Sequence, residues 1–177
     1  MDEKTVRLLD LFSAYTPDEE IRGRLDSVRV FDAQIDMNER KVRVSVELDT
    51  WMPFHMIRRV EQGISQAYAI RTMEIQPLYA PERLKDMDFH DIGEYLCELF
   101  APALSILAGC SYDLAGEDIT ISLKRGGGDM LQRYLPLAGK WLSGMFGTAV
   151  TLTLSEPPST DREEAFLVTE QLRDQAL

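Results

Sequence analysis

The stretch that decides the fold is "KVRVSVELDTWMPFHMIRRVEQGISQAY", residues 41–68. In its first part apolar and polar side chains alternate strictly, which is typical of a strand with one buried face. The apolar members are Val42, Val44, Val46 and Leu48. In its second part apolar residues recur three or four positions apart, which predicts a helix with one apolar face. These are Ile57, Val60, Ile64 and Tyr68, and Thr50 is placed to cap the helix.

The neighbouring segments extend this strand and helix into a small unit. Upstream, residues 28–35 and the turn "DMNER" predict a hairpin partner for the strand, and a change of phase at Val30 and Phe31 predicts a bulge. Downstream, "TMEIQPLY" predicts a short third strand. The sequence therefore predicts a strand-strand-helix-strand unit over residues 25–80. Residues 1–24 are predicted as an N-terminal helical segment, with one helix over residues 4–15.

A second unit is predicted over residues 88–155. A helix from Asp91 to Ala108, kinked or divided by Pro102, precedes the strand "DITISL". A helix from Met130 to Met145, ended by Gly147, precedes the strand "TAVTLTL". The expected fold class is α+β, with two small KH-like α/β-sandwich units, each a sheet of three strands or fewer packed on helices. Residues 156–177 are expected to be a linker and a terminal helix.

Composition bounds the function. The chain has 177 residues, 45% of them hydrophobic, so it can bury a core. No apolar run approaches the roughly 20 residues of a membrane-spanning helix, and the first residues lack a secretory signal pattern, so we expect a cytoplasmic protein without a membrane partner. The net charge of −11 disfavours binding to nucleic acid through the surface as a whole.

The sequence offers no catalytic, cofactor or metal residues. Cys97 and Cys110 are the only cysteines, and the two histidines, His55 and His90, are far from each other and from both thiols in sequence. Zinc sites need ligands at short spacing, and nucleophilic catalysis needs a base next to a nucleophile. Cys97 is expected to be a buried, unreactive thiol.

The glycine-rich turn "LKRGGGD", residues 123–129, raises the question of a phosphate site. A P-loop needs a lysine and a hydroxyl residue after its last glycine, whereas here Asp129 follows the glycines. A plain turn with Asp129 as the helix N-cap is the simpler interpretation. The alternative is a relic of the KH GxxG clamp, in which Lys124 and Arg125 are candidate nucleic-acid-binding residues.

Large apolar residues near two predicted helices are candidate partner-binding residues. They are Trp51, Met52, Phe54, Trp141 and Phe146. Aromatic and methionine side chains are common anchors of protein interfaces. The alternative is that these side chains belong to the core, since large aromatic residues are mostly buried.

Much of residues 25–155 resembles the N-terminal region of PolC, the PolC-type alpha subunit of bacterial DNA polymerase III. The resemblance is carried by "VELDTWMPFHMIRRVEQGISQAYA", "IQPLYAPERLKDMDFHDIGEYLCELF" and "GEDITISLKRGGGDMLQRYLPLAGKWLSGMFGTAVTLTL". The second unit is also similar in layout to the C-terminal domain of the clamp-loader tau subunit and to the N-terminal domain of the initiator DnaA. The triple glycine departs from the turn expected in those two relatives.

The resemblance implies a non-enzymatic module that docks a replicative polymerase to replisome proteins, tau first among them. The alternative function is a single-stranded nucleic-acid-binding module, which needs an exposed aromatic stacking platform. A third possibility, an enzyme of unknown class, needs a pocket that brings His55 or His90 beside a carboxylate.

Overall fold

The computed structural model describes residues 5–157, which form two sheets packed with helices. The N-terminal unit is residues 5–78, with a four-stranded sheet, and the C-terminal unit is residues 79–157, with a three-stranded sheet. This confirms the predicted α+β class with two small units. The predicted linker and terminal helix fall mostly on residues 158–177, outside the described residues.

The N-terminal unit places its strands in chain order across one sheet. Its elements are β1 (Val6–Arg7), α1 (Leu8–Leu11), α2 (Glu19–Leu25), β2 (Arg29–Asp36), β3 (Lys41–Glu47), α3 (Phe54–Tyr68) and β4 (Thr72–Leu78). β1, β2 and β3 run antiparallel, and α3 carries the chain across so that β4 lies parallel to β3. The strand-strand-helix-strand order is confirmed, and so is the bulge, which lies between Val30 and Asp32.

The start of the N-terminal unit differs from the prediction. Val6 and Arg7 pair with Val30 and Arg29, so a short strand replaces the first part of the predicted helix over residues 4–15. The helix that remains, α1, has four residues. The cause is tertiary, because pairing with β2 satisfies backbone groups that one isolated helical turn would leave open.

The C-terminal unit contains a hairpin that the sequence patterns did not reveal. A 3₁₀ helix (Pro81–Asp86) leads to α4 (His90–Leu99), α5 (Ala103–Ile106), β5 (Ser111–Ala115), β6 (Asp118–Ser122), α6 (Gly128–Leu131), α7 (Leu135–Phe146) and β7 (Thr151–Ser155). β5 and β6 are antiparallel, and β6 and β7 are parallel. β5 was missed because its "SYDLA" has only two apolar residues in alternation, Tyr112 and Leu114.

Prolines set the helix breaks in the C-terminal unit. The predicted break at Pro102 is confirmed, since α4 ends at Leu99 and α5 begins at Ala103. The single helix predicted from Met130 to Met145 is instead α6 and α7. Pro136 lies in the first turn of α7, where its missing N–H costs nothing, and it cannot donate to a preceding turn. Gly147 ends α7 with φ of 62°, as predicted.

Each unit buries its own apolar core. In the N-terminal unit α3 covers β3, with Val44 and Ile64 fully buried. In the C-terminal unit α7 covers β6, with Ile121, Leu142 and Phe146 fully buried.

Candidate functional site

The five predicted partner-binding residues lie together where the two units meet. Trp51, Met52 and Phe54 lie at or just before the start of α3, and Trp141 and Phe146 are on α7. The ring of Trp51 stacks on Phe146 with centroids 6.0 Å apart, and the ring of Phe54 meets Trp141 edge-on at 5.6 Å. We call this cluster of five residues the seam.

The seam is interior to the molecule. Met52, Phe54 and Phe146 are buried, and Trp51 and Trp141 are half-buried against the core of the C-terminal unit. The expectation that these residues form an exposed docking patch is therefore wrong for the packed molecule. They are core residues, because stacking the two units removes their aromatic surface from water.

A buried carboxylate holds the seam. Asp91, in the first turn of α4, is 4% exposed and accepts hydrogen bonds from the Trp51 indole Nε1 at 2.8 Å and the Phe54 backbone N at 3.0 Å. Desolvation raises the pKa of Asp91, and this outweighs the two hydrogen bonds, which lower it. Since Phe54 begins α3, the C-terminal unit caps a helix of the N-terminal unit. Thr50 does not cap it, because the N-cap position is Pro53.

Arg58 makes the second polar link between the units. Its guanidinium contacts Glu61 on the same helix and Glu98 on α4, each at 2.8 Å. Glu61 also accepts the Ile75 backbone N–H at 2.9 Å, so its buried carboxylate is held on both sides. The neighbouring Arg59 pairs with Asp18. Both arginines of this pair thus serve the fold.

The glycine-rich turn, residues 123–129, redirects the chain, and its backbone binds a carboxylate. Gly127 is the N-cap of α6 with φ of 107°, a conformation that favours glycine, and Asp129 lies in the first turn, so the prediction of Asp129 as the N-cap is wrong. The backbone N of Gly128 donates to the Glu156 carboxylate at 2.7 Å. That carboxylate takes the donor that a phosphate would use. Lys124 and Arg125 are exposed beside it.

An open groove of about 710 Å³ lies between α4 and the start of β5. His90, Glu94, Cys97, Cys110 and Tyr112 line it together with apolar side chains. Cys97 is half-buried rather than buried, and desolvation followed by the charge of Glu94 raises the pKa of its thiol, which keeps it protonated. Over residues 5–157, neither histidine side chain hydrogen-bonds to another group, and no cluster of His, Cys, Asp and Glu suits a metal ion.

The surface that the sequence patterns did not reveal is the distal part of β2 and its turn. Phe31 and Ile35 are each 66% exposed and Met37 is 82% exposed, so three large apolar side chains meet water within seven residues. β1 covers only Arg29 and Val30, and from Phe31 to Asp36 every residue is exposed. We call residues 31–37 the open edge. The phase change at Phe31 was the available signal, but sequence could not show that β1 is two residues long.

The chain matches no protein-family model, and comparisons with curated proteins and with solved structures give no match. In the part of the chain that the structure describes, none of the helices has the length and apolar character required to cross a bilayer.

Proposed function

We propose that this chain is a non-catalytic protein-docking module of a PolC-type bacterial replicative DNA polymerase, with the clamp-loader tau subunit as its partner. Docking is supported by the open edge. Single exposed apolar residues are ordinary on protein surfaces, whereas adjacent large ones mark interaction sites. The assignment to the replisome rests on the sequence resemblance.

The surface chemistry favours a protein partner over single-stranded nucleic acid. Nucleic-acid platforms present several aromatic rings next to cations. Among the described strands of the N-terminal sheet the one aromatic residue is Phe31, and the two cations of β3, Lys41 and Arg43, are both paired with Glu74. Lys124 and Arg125 lie in the C-terminal unit, in a chain of net charge −11.

We therefore place the proposed docking surface at the open edge and not at the seam. The seam joins the two units through stacked rings and the Asp91 carboxylate, so a partner could reach its buried residues Met52, Phe54 and Phe146 only by separating the units. The open edge is already accessible.

The test is a titration of the isotopically labelled chain with the C-terminal region of a cognate tau subunit and, separately, with single-stranded DNA. We expect saturable amide shifts with tau, centred on residues 31–37 and unchanged at moderate salt. Phe31→Ala should weaken tau binding at least tenfold. Leu104→Ala, at a side chain 73% exposed in the C-terminal unit, is the matched control. Shifts with DNA alone, centred on Lys124 and Arg125 and fading with salt, would overturn the proposal.

A further inference from the structure

The open edge presents backbone groups as well as apolar side chains. Asp32 to Asp36 pair with Ser45 to Lys41 of β3 in an unbroken register, so one side of this strand segment is satisfied. On the other side β1 stops at the pair Val6 and Val30. Among residues 5–157, no further strand pairs with this side of β2. A strand edge with unpaired N–H and C=O groups is a template for another strand.

The two faces of this strand segment differ in chemistry. Ala33 and Ile35 are paired with Val44 and Val42, so they share the face that α3 covers farther along the sheet. The helix layer leaves both of them exposed. Asp32, Gln34 and Asp36 share the opposite face with polar residues of β3. A strand lying along this edge would thus meet an apolar row on one face and an acidic row on the other.

None of the described ion pairs involves Asp32 or Asp36, the two carboxylates of the acidic row. The nearest cations on the same face, Lys41 and Arg43, both bind Glu74 of β4, at 3.0 and 2.8 Å. Glu74 draws them towards the far side of the sheet from the open edge. Asp32 and Asp36 are exposed and contact only neutral donors, the Gln34 amide and the backbone of the following turn.

We propose that the open edge binds an extended segment of a partner protein by strand addition, and that this segment alternates apolar residues with lysine or arginine. The proposal deepens the proposed docking function and rests on it. Backbone hydrogen bonds to Asp32–Asp36 supply the pairing. The apolar residues pack beside Ala33 and Ile35, and the cations lie opposite Asp32 and Asp36.

A second copy of this chain fits the edge less well. An antiparallel pair of open edges centred on Gln34 sets Asp32 of one copy opposite Asp36 of the other. Like charges directly opposite each other are destabilising in a sheet. The net charge of −11 adds repulsion between copies. The same acids that oppose self-pairing select a basic strand.

The probe is the peptide acetyl-KVKVKVKV-amide, compared with acetyl-EVEVEVEV-amide, which keeps the apolar row and reverses the charges. We expect the basic peptide to bind saturably at moderate salt and the acidic one at least tenfold more weakly. Amide hydrogen exchange should slow at alternate residues of the segment Asp32–Asp36, since only alternate N–H groups point to the new strand. Peptides N-methylated at one or the other alternate set should differ, with one set losing binding.

Protein variants separate the local effect of the Asp32 and Asp36 charges from the effect of the net charge of the chain. Asp32→Lys with Asp36→Lys should lower affinity for the basic peptide at least tenfold. Asp113→Lys with Asp118→Lys is the matched control, because it makes the same change in net charge at two exposed acids of the other sheet, and it should change affinity less than twofold. Equal loss in both variants would overturn the proposal by showing a general charge effect.

Three further results would overturn strand addition. One is binding without slowed exchange at alternate β2 amides. Another is concentration-dependent dimerisation in sedimentation that Asp32→Lys strengthens, since that change sets a lysine opposite Asp36 of the other copy. The third is peptide binding only by a variant lacking residues 2–4, which would show that the edge is occupied in the intact chain. The tau titration tests the proposed function separately. Peptide binding without tau binding would contradict tau as the partner and would support strand addition at the open edge.

Discussion

The two units share one strand topology, and they differ in how completely their strands are paired with one another. In both, a hairpin is followed by a helical connection and a third strand parallel to the second: β2, β3 and β4 in the N-terminal unit, and β5, β6 and β7 in the C-terminal unit. The C-terminal strands are each five residues long and fully paired with one another. In the N-terminal unit an eight-residue β2 lies beside a two-residue β1.

An open strand edge is not by itself an interaction surface. β5 is also an outer strand, but its apolar residues Tyr112 and Leu114 pack against the core and its exposed residues are small or polar. β2 has large apolar residues, Phe31 and Ile35, that no other part of residues 5–157 covers. The seam is the reverse case. Its aromatic residues are predicted from the sequence to anchor a partner, and in the structure they pack inside the molecule. Four predictions test this contrast, starting with the largest effect.

Two phenylalanines, one in each unit, should differ greatly in their response to the same substitution. Phe146 is fully buried against Trp51 and Tyr79, so Phe146→Ala should lower the free energy of unfolding by about 3–5 kcal/mol. Phe31 is 66% exposed, and Phe31→Ala should change it by no more than about 0.5 kcal/mol. Urea unfolding followed by tryptophan fluorescence measures both. Similar losses in the two variants would show that the open edge is part of the fold rather than a free surface.

The link between the units should be nearly as sensitive. Asp91→Ala leaves the Trp51 indole N–H and the Phe54 backbone N–H without their acceptor in a buried site. Each unsatisfied donor costs about 1–3 kcal/mol, and removing the desolvated carboxylate offsets part of this cost, so the free energy of unfolding should fall by about 2–4 kcal/mol. Asp86→Ala, which removes an exposed carboxylate paired with Arg83, is the control and should change little. Equal effects would mean that Asp91 does not hold the seam.

Local sequence patterns were sufficient to predict the helices and strands, but they were insufficient to predict the contacts between them. The alternation over Val42–Leu48 and the helical spacing over Ile57–Tyr68 predict β3 and α3, because each pattern is fixed by the face its own element buries. Thr50 looked like the cap of α3 since a hydroxyl lies nearby in sequence. The group that serves is Asp91, 37 residues farther along the chain from Phe54.

The exposure of the open edge escaped prediction for the same reason. Exposure of Phe31 depends on where β1 stops and on how far α3 reaches across the sheet, and neither is encoded in the residues around Phe31. Burial of Trp51 and Trp141 depends on the stacking of one unit on the other. Composition predicts that large aromatic residues are buried on average, and only the fold decides which ones are.

The pH dependence of stability should differ in sign between the seam and the sheet face. Desolvation raises the pKa of Asp91 above 3.8, with a further contribution from Asp88 and an opposing one from His55. The folded state then holds the proton more tightly, so the contribution of Asp91 to stability falls as pH rises from about 3.8 through the folded-state pKa. The gap in unfolding free energy between the wild type and Asp91→Asn should therefore shrink as pH rises through that range.

Glu74 supplies the opposite case on the N-terminal sheet. Its burial is slight, and although desolvation raises its pKa, hydrogen bonds and charges from Lys41 and Arg43 outweigh this and lower the pKa below 4.5. Its contribution is present above about 4.5 and lost as pH falls through the folded-state pKa. The gap between the wild type and Glu74→Gln should grow as pH rises. Urea titrations at several pH values between 3 and 7 compare the two variants, and gaps of the same sign would contradict the assignment.

The smallest predicted effect concerns the two hairpin turns. Each hairpin turn contains a residue in the left-handed region: Arg40, with φ of 53°, in the N-terminal unit and Gly116, with φ of 63°, in the C-terminal unit. A side chain is strained there and glycine is not, so Arg40→Gly should stabilise the chain by up to about 1 kcal/mol and Gly116→Ala should destabilise it by about 1 kcal/mol. A Cβ at Gly116 meets no atom within 4 Å, which leaves backbone strain as the cause. Since Arg40 is exposed at the end of the hairpin away from β1, Arg40→Gly should leave peptide binding at the open edge unchanged, and a stabilised variant that lost this binding would place the arginine in the docking surface.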